Sequence, residues 1–167
     1  MAPIRVSVEV STMHIVGVVH VHSDYSRDGK DPLSRLREFA LERGIAFVAL
    51  TDHAEDFVSE LFDEYVAECA SLSDDRVRLI PGLEFRFAKH RGLHLLAMGL
   101  TRLIAPETPD AFAAEAPDAA RFTAMAHPVL ARYVLPESVA ARIDAIEVWN
   151  ASYNTRYLPD PRAIALL

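Results

Sequence analysis

Short apolar runs bounded by turn residues alternate along this chain with stretches of three-to-four periodicity. HIVGVVHV (residues 14–21) is followed by PLSRLREFALERG, IAFVALTD, DFVSELFDEYVAECASL and VRLIPGLEF. The first, third and fifth read as strands, the second and fourth as helices. Leu33, Leu36, Phe39, Ala40 and Arg43 carry the amphipathic spacing of the first helix, and Gly44 is placed to end it. The order βαβαβ predicts a parallel sheet covered by helices.

The second half is less regular. GLHLLAMGL, RFTAMAHP and DAIEVWN read as strands, PESVAARI as a short helix, and APETPDAFAAEAPDAAR as an alanine-rich helix or helices interrupted by proline. After Asn150 a loop runs into PRAIALL, which reads as the first turns of a helix. An α/β domain that continues past this point is the expectation from such an ending. No repeat and no long polar linker divides the chain, so residues 1–167 are expected to form a single domain.

Composition narrows the class. Half of the residues are hydrophobic (51%), enough for a sizeable core, and no run approaches the roughly 20 apolar residues of a spanning helix. The N-terminus lacks the basic-then-apolar layout of a leader, so a soluble, cytoplasmic protein is expected. The single cysteine, Cys69, cannot form an internal disulfide and serves as a small apolar residue. Seventeen basic against 24 acidic residues give a formal net charge of −7, which disfavours extended nucleic acid as a partner. A small substrate fits better, and the oligomeric state is open.

The candidate chemistry lies at the strand ends. His20 and His22 in HVHSDYSRDG are two apart, so strand alternation points both to one side, within reach of one ion or simply at an exposed strand end. Asp52 and His53 end IAFVALTDH, Glu84 ends VRLIPGLE, and His127 ends FTAMAHP. His94 lies in GLHLLAMG, while Glu147 and Asn150 lie in DAIEVWN. In parallel α/β folds the strand C-termini converge on one face, which would gather these groups at a single mouth. Five of the seven histidines follow this pattern; His14 and His90 fall outside it and read as structural or turn residues. Asp28 reads either as an Asp-Gly turn residue or as a carboxylate ligand above the histidine pair. Asp52 reads either as an outer-shell group orienting its neighbour or as a helix cap. Asn150 and Arg156 in NASYNTRY follow closely on a strand end, and Arg156 by itself also reads as an ordinary surface arginine. Lys89, His90 and Arg91 read as a solvated turn, and Trp149 as a core residue. There is no G-x-S-x-G elbow, no Cys-His arrangement and no glycine-rich phosphate loop.

In order along the chain, HVHSDYSRDG, VALTDH, IPGLEF, HLLAMGL, MAHP and IEVWN resemble the PHP superfamily of polymerase and histidinol phosphatase domains. HLLAMGL, ten residues after Glu84, is most similar to its trpH-like branch, which acts on small phosphate esters and nucleotides. The resemblance implies an α/β fold, a distorted (β/α)7 barrel, with two or three divalent ions (Mn, Fe or Zn) at the strand C-termini. It implies His20 and His22 on a first ion, Glu84 bridging to a second held by His94 and His127, and Asp28 and His53 contributing to a third. The family's late Asp-x-His has no counterpart here, which implies that the last strands of the barrel are missing. The implied activity is hydrolysis of a small phosphate ester or nucleotide by a metal-bound hydroxide, with Asp52 and Arg156 assisting and Asn150 and Arg156 on the substrate. Nucleotide release from a nucleic-acid end, and a metal-binding module without turnover, are the other readings.

Overall fold

The computed structural model of the protein describes residues 15–150, 152–153 and 158–166. Their elements are β1 (Gly17–Val21), α1 (Leu33–Glu42), β2 (Phe47–Leu50), β3 (Asp52–His53), a 3-10 turn (Ala54–Asp56), α2 (Ser59–Leu72), β4 (Arg78–Ile80) and β5 (Gly82–Arg86). There follow β6 (His94–Met98), α3 (Pro109–Ala119), β7 (Phe122–Ala126), α4 (Glu137–Ala140), β8 (Ala145–Ile146) and α5 (Pro161–Ile164). They build two sheets, one of order β1-β2-β4 and one of order β3-β5-β6-β7-β8.

The first sheet is parallel throughout, as the βαβαβ pattern predicts. In α1, Leu33 and Ala40 are buried and Leu36 packs on the core, which gives the expected inward stripe. Phe39 is not part of it: the ring is 44% exposed, and the Arg43 guanidinium lies 3.6 Å over it. Gly44 ends the helix at φ +66°, a conformation that costs glycine nothing.

The run VRLIPGLEF is two strands rather than one, because Pro81 cannot donate to a ladder. β4 completes the first sheet and β5 enters the second. Gly82 makes the crossing possible: a Cβ there would lie 2.5 Å from the Leu50 carbonyl oxygen and 2.6 Å from that of Ala97. Leu50 and Asp52 make the same transfer one strand earlier, from β2 to β3.

The second sheet is mixed. β3 and β5 are parallel, β6 is antiparallel to both β5 and β7, and β7 and β8 are parallel. The all-parallel expectation therefore fails at β6, which returns from β5 through a short turn with Gly92 at φ +86°. α3 is a single helix capped by Thr108, whose hydroxyl accepts from the Ala111 N–H at 3.1 Å. Pro117 sits in its last turn, where one missing hydrogen bond does not end it.

A large apolar cluster, including Phe62, Tyr65, Leu83, Leu95, Phe112 and Met125, fills the space between helices and sheets. The opposite sheet face carries a small cluster, Ala49, Leu96, Met98, Ala124 and Ala126. Beyond it an apolar cleft of about 560 Å³ lies between β1 and β8. Trp149 is 43% exposed and lines that cleft, so it is not the core residue expected. The fold is thus a mixed α/β fold, and among the described residues its sheets do not close into a barrel. No helix among them is long and apolar enough to cross a membrane.

Candidate metal centre

The local backbone at β1 aims the first two histidines. The β1–β2 register shifts between Val19 and Val21, and His20 adopts φ 61° at that bulge. Val18 and Val21, three apart, both pack on the large cluster, which strict alternation would forbid. The bulge resets the phase, so His20 and His22 face the opposite side together, with ring centroids 5.5 Å apart. Sequence spacing expected the pair to share a face; the bulge decides which face. His127 also has positive φ, 23°, a costly conformation for a non-glycine residue that packing must hold.

Glu84 is the hub. It is 2% exposed, and nitrogens of five imidazoles surround its two oxygens. Oε1 lies 2.7 Å from His94 Nδ1 and 3.1 Å from His127 Nε2. Oε2 lies 3.2 Å from His53 Nδ1, 3.3 Å from His22 Nε2 and 3.8 Å from His20 Nε2. His94 arrives here for a reason the strand-end rule misses. Because β6 is antiparallel, its first residue lies beside the last residues of β5 and β7, with His94 opposite Arg86 and Ala126.

Two further carboxylates support this hub. Glu147 Oε1 accepts from His20 Nδ1 at 3.0 Å, and its Oε2 accepts from the backbone N–H of His127 at 2.7 Å. One side chain thus orients a ring on β1 and a strained backbone after β7. Asp52 is fully buried and accepts from the Ser23 N–H at 2.7 Å and the Ser23 hydroxyl at 2.9 Å. It does not line the pocket, and its two bonds to Ser23 fix the loop that follows His22.

That loop folds back on itself. Ser26 and Gly29 donate backbone N–H groups to Ser23 and Ser26, and the Ser26 hydroxyl accepts from the His53 N–H at 2.7 Å. Gly29 passes so close to the Ser23 carbonyl that no Cβ would fit. Asp28 is therefore a turn residue and a site residue at once: its carboxylate reaches His22 Nδ1 at 3.1 Å and His53 Nε2 at 3.0 Å.

The pocket, about 270 Å³, is lined by His20, His22, Asp28, His53, Glu84, His94, His127 and Asn150, together with Arg86, Ser152 and Tyr153. All seven expected metal ligands converge on it. Asn150 donates to Glu147 at 3.1 Å. Arg156 and His14 lie outside the described residues. His90 falls in the turn before β6. Sequence reasoning passed over Arg86, although it lies two residues after Glu84 on the same strand face. It also passed over Tyr153, whose ring lies 4.8 Å from that of His127.

The electrostatics suit a cation. Burial alone would raise the Glu84 carboxyl, but hydrogen bonds from His127, His20, His22 and His94 outweigh it and hold the pKa far below the usual range. Burial would lower the His20 imidazole, yet Glu147 and Glu84 raise it to about 9. Desolvation would raise the Asp28 carboxyl, but hydrogen bonds and charge from His22 and His53 together outweigh it and hold it down to about 2. Five rings cannot all donate to two oxygens, and the buried Nδ1 of His127 has no hydrogen-bond partner. Three groups have ligand atoms within 4.8 Å of one another: His20–His22–Glu84, Glu84–His94–His127 and His22–Asp28–His53. Mixed imidazole and carboxylate donors at this spacing fit divalent transition metals.

Comparison with known proteins agrees with this geometry. Residues 19–133 match the PHP domain family. The chain is similar in structure to "a putative metal-dependent phosphoesterase" from Bifidobacterium adolescentis, with a TM-score of 0.60 and 16% identity over 93% of this chain and 84% of that one. Comparison with curated proteins returns no match.

Proposed function

The chain belongs to the PHP domain family, and from that premise we propose that it is a metal-dependent phosphoesterase acting on a small phosphate ester or nucleotide. The observation that carries this reading is the buried Glu84 carboxylate, each oxygen of which faces a different histidine group. His20 and His22 would hold one divalent ion with Glu84, and His94 and His127 a second. Asp28 and His53 are candidates for a third; Mn, Fe and Zn all suit the donors. Such ions, when bound, make water a nucleophile near neutral pH and polarise phosphoryl oxygens.

The chain's own residues then orient and enclose. Glu147 fixes the His20 tautomer by accepting at Nδ1, which turns Nε2 toward Glu84. Asp52 and Ser26 hold the loop that presents His22 and Asp28. Asn150, Ser152 and Tyr153 line the mouth, where a substrate's phosphate and leaving group would sit. Arg156 extends the same segment and remains our candidate for the phosphate. The HLLAMGL element supports the trpH-like branch, and the placing of β1 and β8 on either side of one cleft is the arrangement that supports a distorted (β/α)7 barrel.

The test is direct. Metal-stripped protein reloaded with Mn²⁺ or Zn²⁺ is assayed against sugar, amino-acid and nucleotide monophosphates. Phosphate release that disappears in Glu84→Gln supports the reading. A folded, metal-loaded protein inert toward the whole panel sinks the phosphoesterase assignment while leaving the metal centre standing.

A further inference from the structure

One cation stands inside the centre described above, and it changes what the third ligand group can hold. Arg86 ends β5 two residues after Glu84, so strand alternation turns both side chains to one side. Its Nη2 lies 2.9 Å from His53 Nδ1 and also against Nε2 of the same ring. Nη1 is 3.7 Å from Glu55, which Arg27 in turn holds at 2.5 Å. The guanidinium is thus anchored between the pocket and a surface carboxylate.

Nη2 can approach both ring nitrogens at once only over the face of the imidazole, and a guanidinium stays charged, so Arg86 places a permanent cation against the ring that a metal ion would use. His53 belongs to the His22–Asp28–His53 group, and to neither of the other two. A divalent ion in that group would have to sit beside this fixed positive charge or push it aside. The group's own carboxylate, Asp28, is 54% exposed and well screened. The other two groups share the buried Glu84, and Arg86 is the only arginine or lysine among the described residues lining this pocket.

Resting on the metal-centre reading above, we infer that Arg86 stands in the place of a third cation. The centre of this chain then takes two divalent ions, at His20–His22–Glu84 and Glu84–His94–His127, with a guanidinium at His22–Asp28–His53.

Counting ions tests this without reference to turnover. Metal-stripped wild-type protein, Arg86→Ala and Arg86→Gln are dialysed to equilibrium against excess Mn²⁺, and bound metal is measured by mass spectrometry. Circular dichroism checks each fold, and the Gln variant keeps more of the aliphatic stem and a neutral polar tip should Ala disturb packing. Two ions per wild-type chain and three in both variants are expected, and Arg86→Gln combined with Asp28→Asn should return the count to two. Three ions in the wild type, or an unchanged count in both single variants, overturns the proposal. A wild-type chain that binds none overturns the metal centre itself, and the proposal with it.

Discussion

Around Glu84 the carboxylate is buried, shared by two groups of histidines and backed by Glu147; around Asp28 the carboxylate is open to solvent and a guanidinium lies against the buried His53. The same residue types occur in both halves, so the difference lies in their surroundings. Burial makes each charge around Glu84 costly unless paired and valuable once paired. Exposure and screening leave the Asp28 half with weaker leverage over an ion, even though its distances alone would qualify it as a site. Ligand spacing is therefore a necessary condition here, and desolvation with charge balance ranks the groups.

Removing the hub should break the contrast most severely. Glu84→Gln is expected to weaken divalent-ion binding by more than about a hundredfold, beyond what an outer-shell partner contributes, as read by titration calorimetry on metal-stripped protein. Glu147→Gln should cost about 10–100-fold, because His20 loses the carboxylate that fixes its tautomer while its ligand nitrogen stays in place. If that substitution changes nothing, Glu147 serves only the backbone of His127.

Acidity provides a third probe. His20 is raised to about 9 in the metal-free fold, so its contribution to stability is fully present below its unfolded value near 6.5 and is lost as pH climbs through about 9. A metal ion must displace that proton, so affinity should increase about tenfold per pH unit between roughly 7 and 9. A flat affinity profile over that window would mean that His20 is not a ligand. The smallest effect is expected from Asp28→Asn, about threefold or less on overall affinity, since its carboxylate is exposed and screened. Equal losses from Asp28→Asn and Glu84→Gln would erase the distinction between the two halves.

Much of this was legible beforehand because it is local. The amphipathic stripe of Leu33, Leu36 and Ala40, the stop at Gly44 and the Asp-Gly turn at Asp28 all follow from a few neighbouring residues. Of the seven candidate ligands, the histidines and Glu84 were named from their places in or beside apolar runs and Asp28 from the family resemblance, and all seven line the pocket. Where local pattern was followed too far it failed: Phe39 and Trp149 are apolar yet exposed, and the run through Pro81 divides between two sheets.

The sequence by itself determined the chemistry, since imidazoles and carboxylates at strand termini are visible in the residue types and their spacing. It also determined the first parallel sheet, because short helical crossovers between strands leave few alternatives. Tertiary structure alone decided the direction of β6, and with it how His94 reaches Glu84. An apolar run has the same pattern read in either direction, so pairing rather than composition sets strand polarity. Tertiary structure likewise joined Glu147 to His20 across 127 residues and brought Arg86 against His53. Those contacts depend on which edges meet when the sheets pack, a long-range outcome that no local spacing encodes.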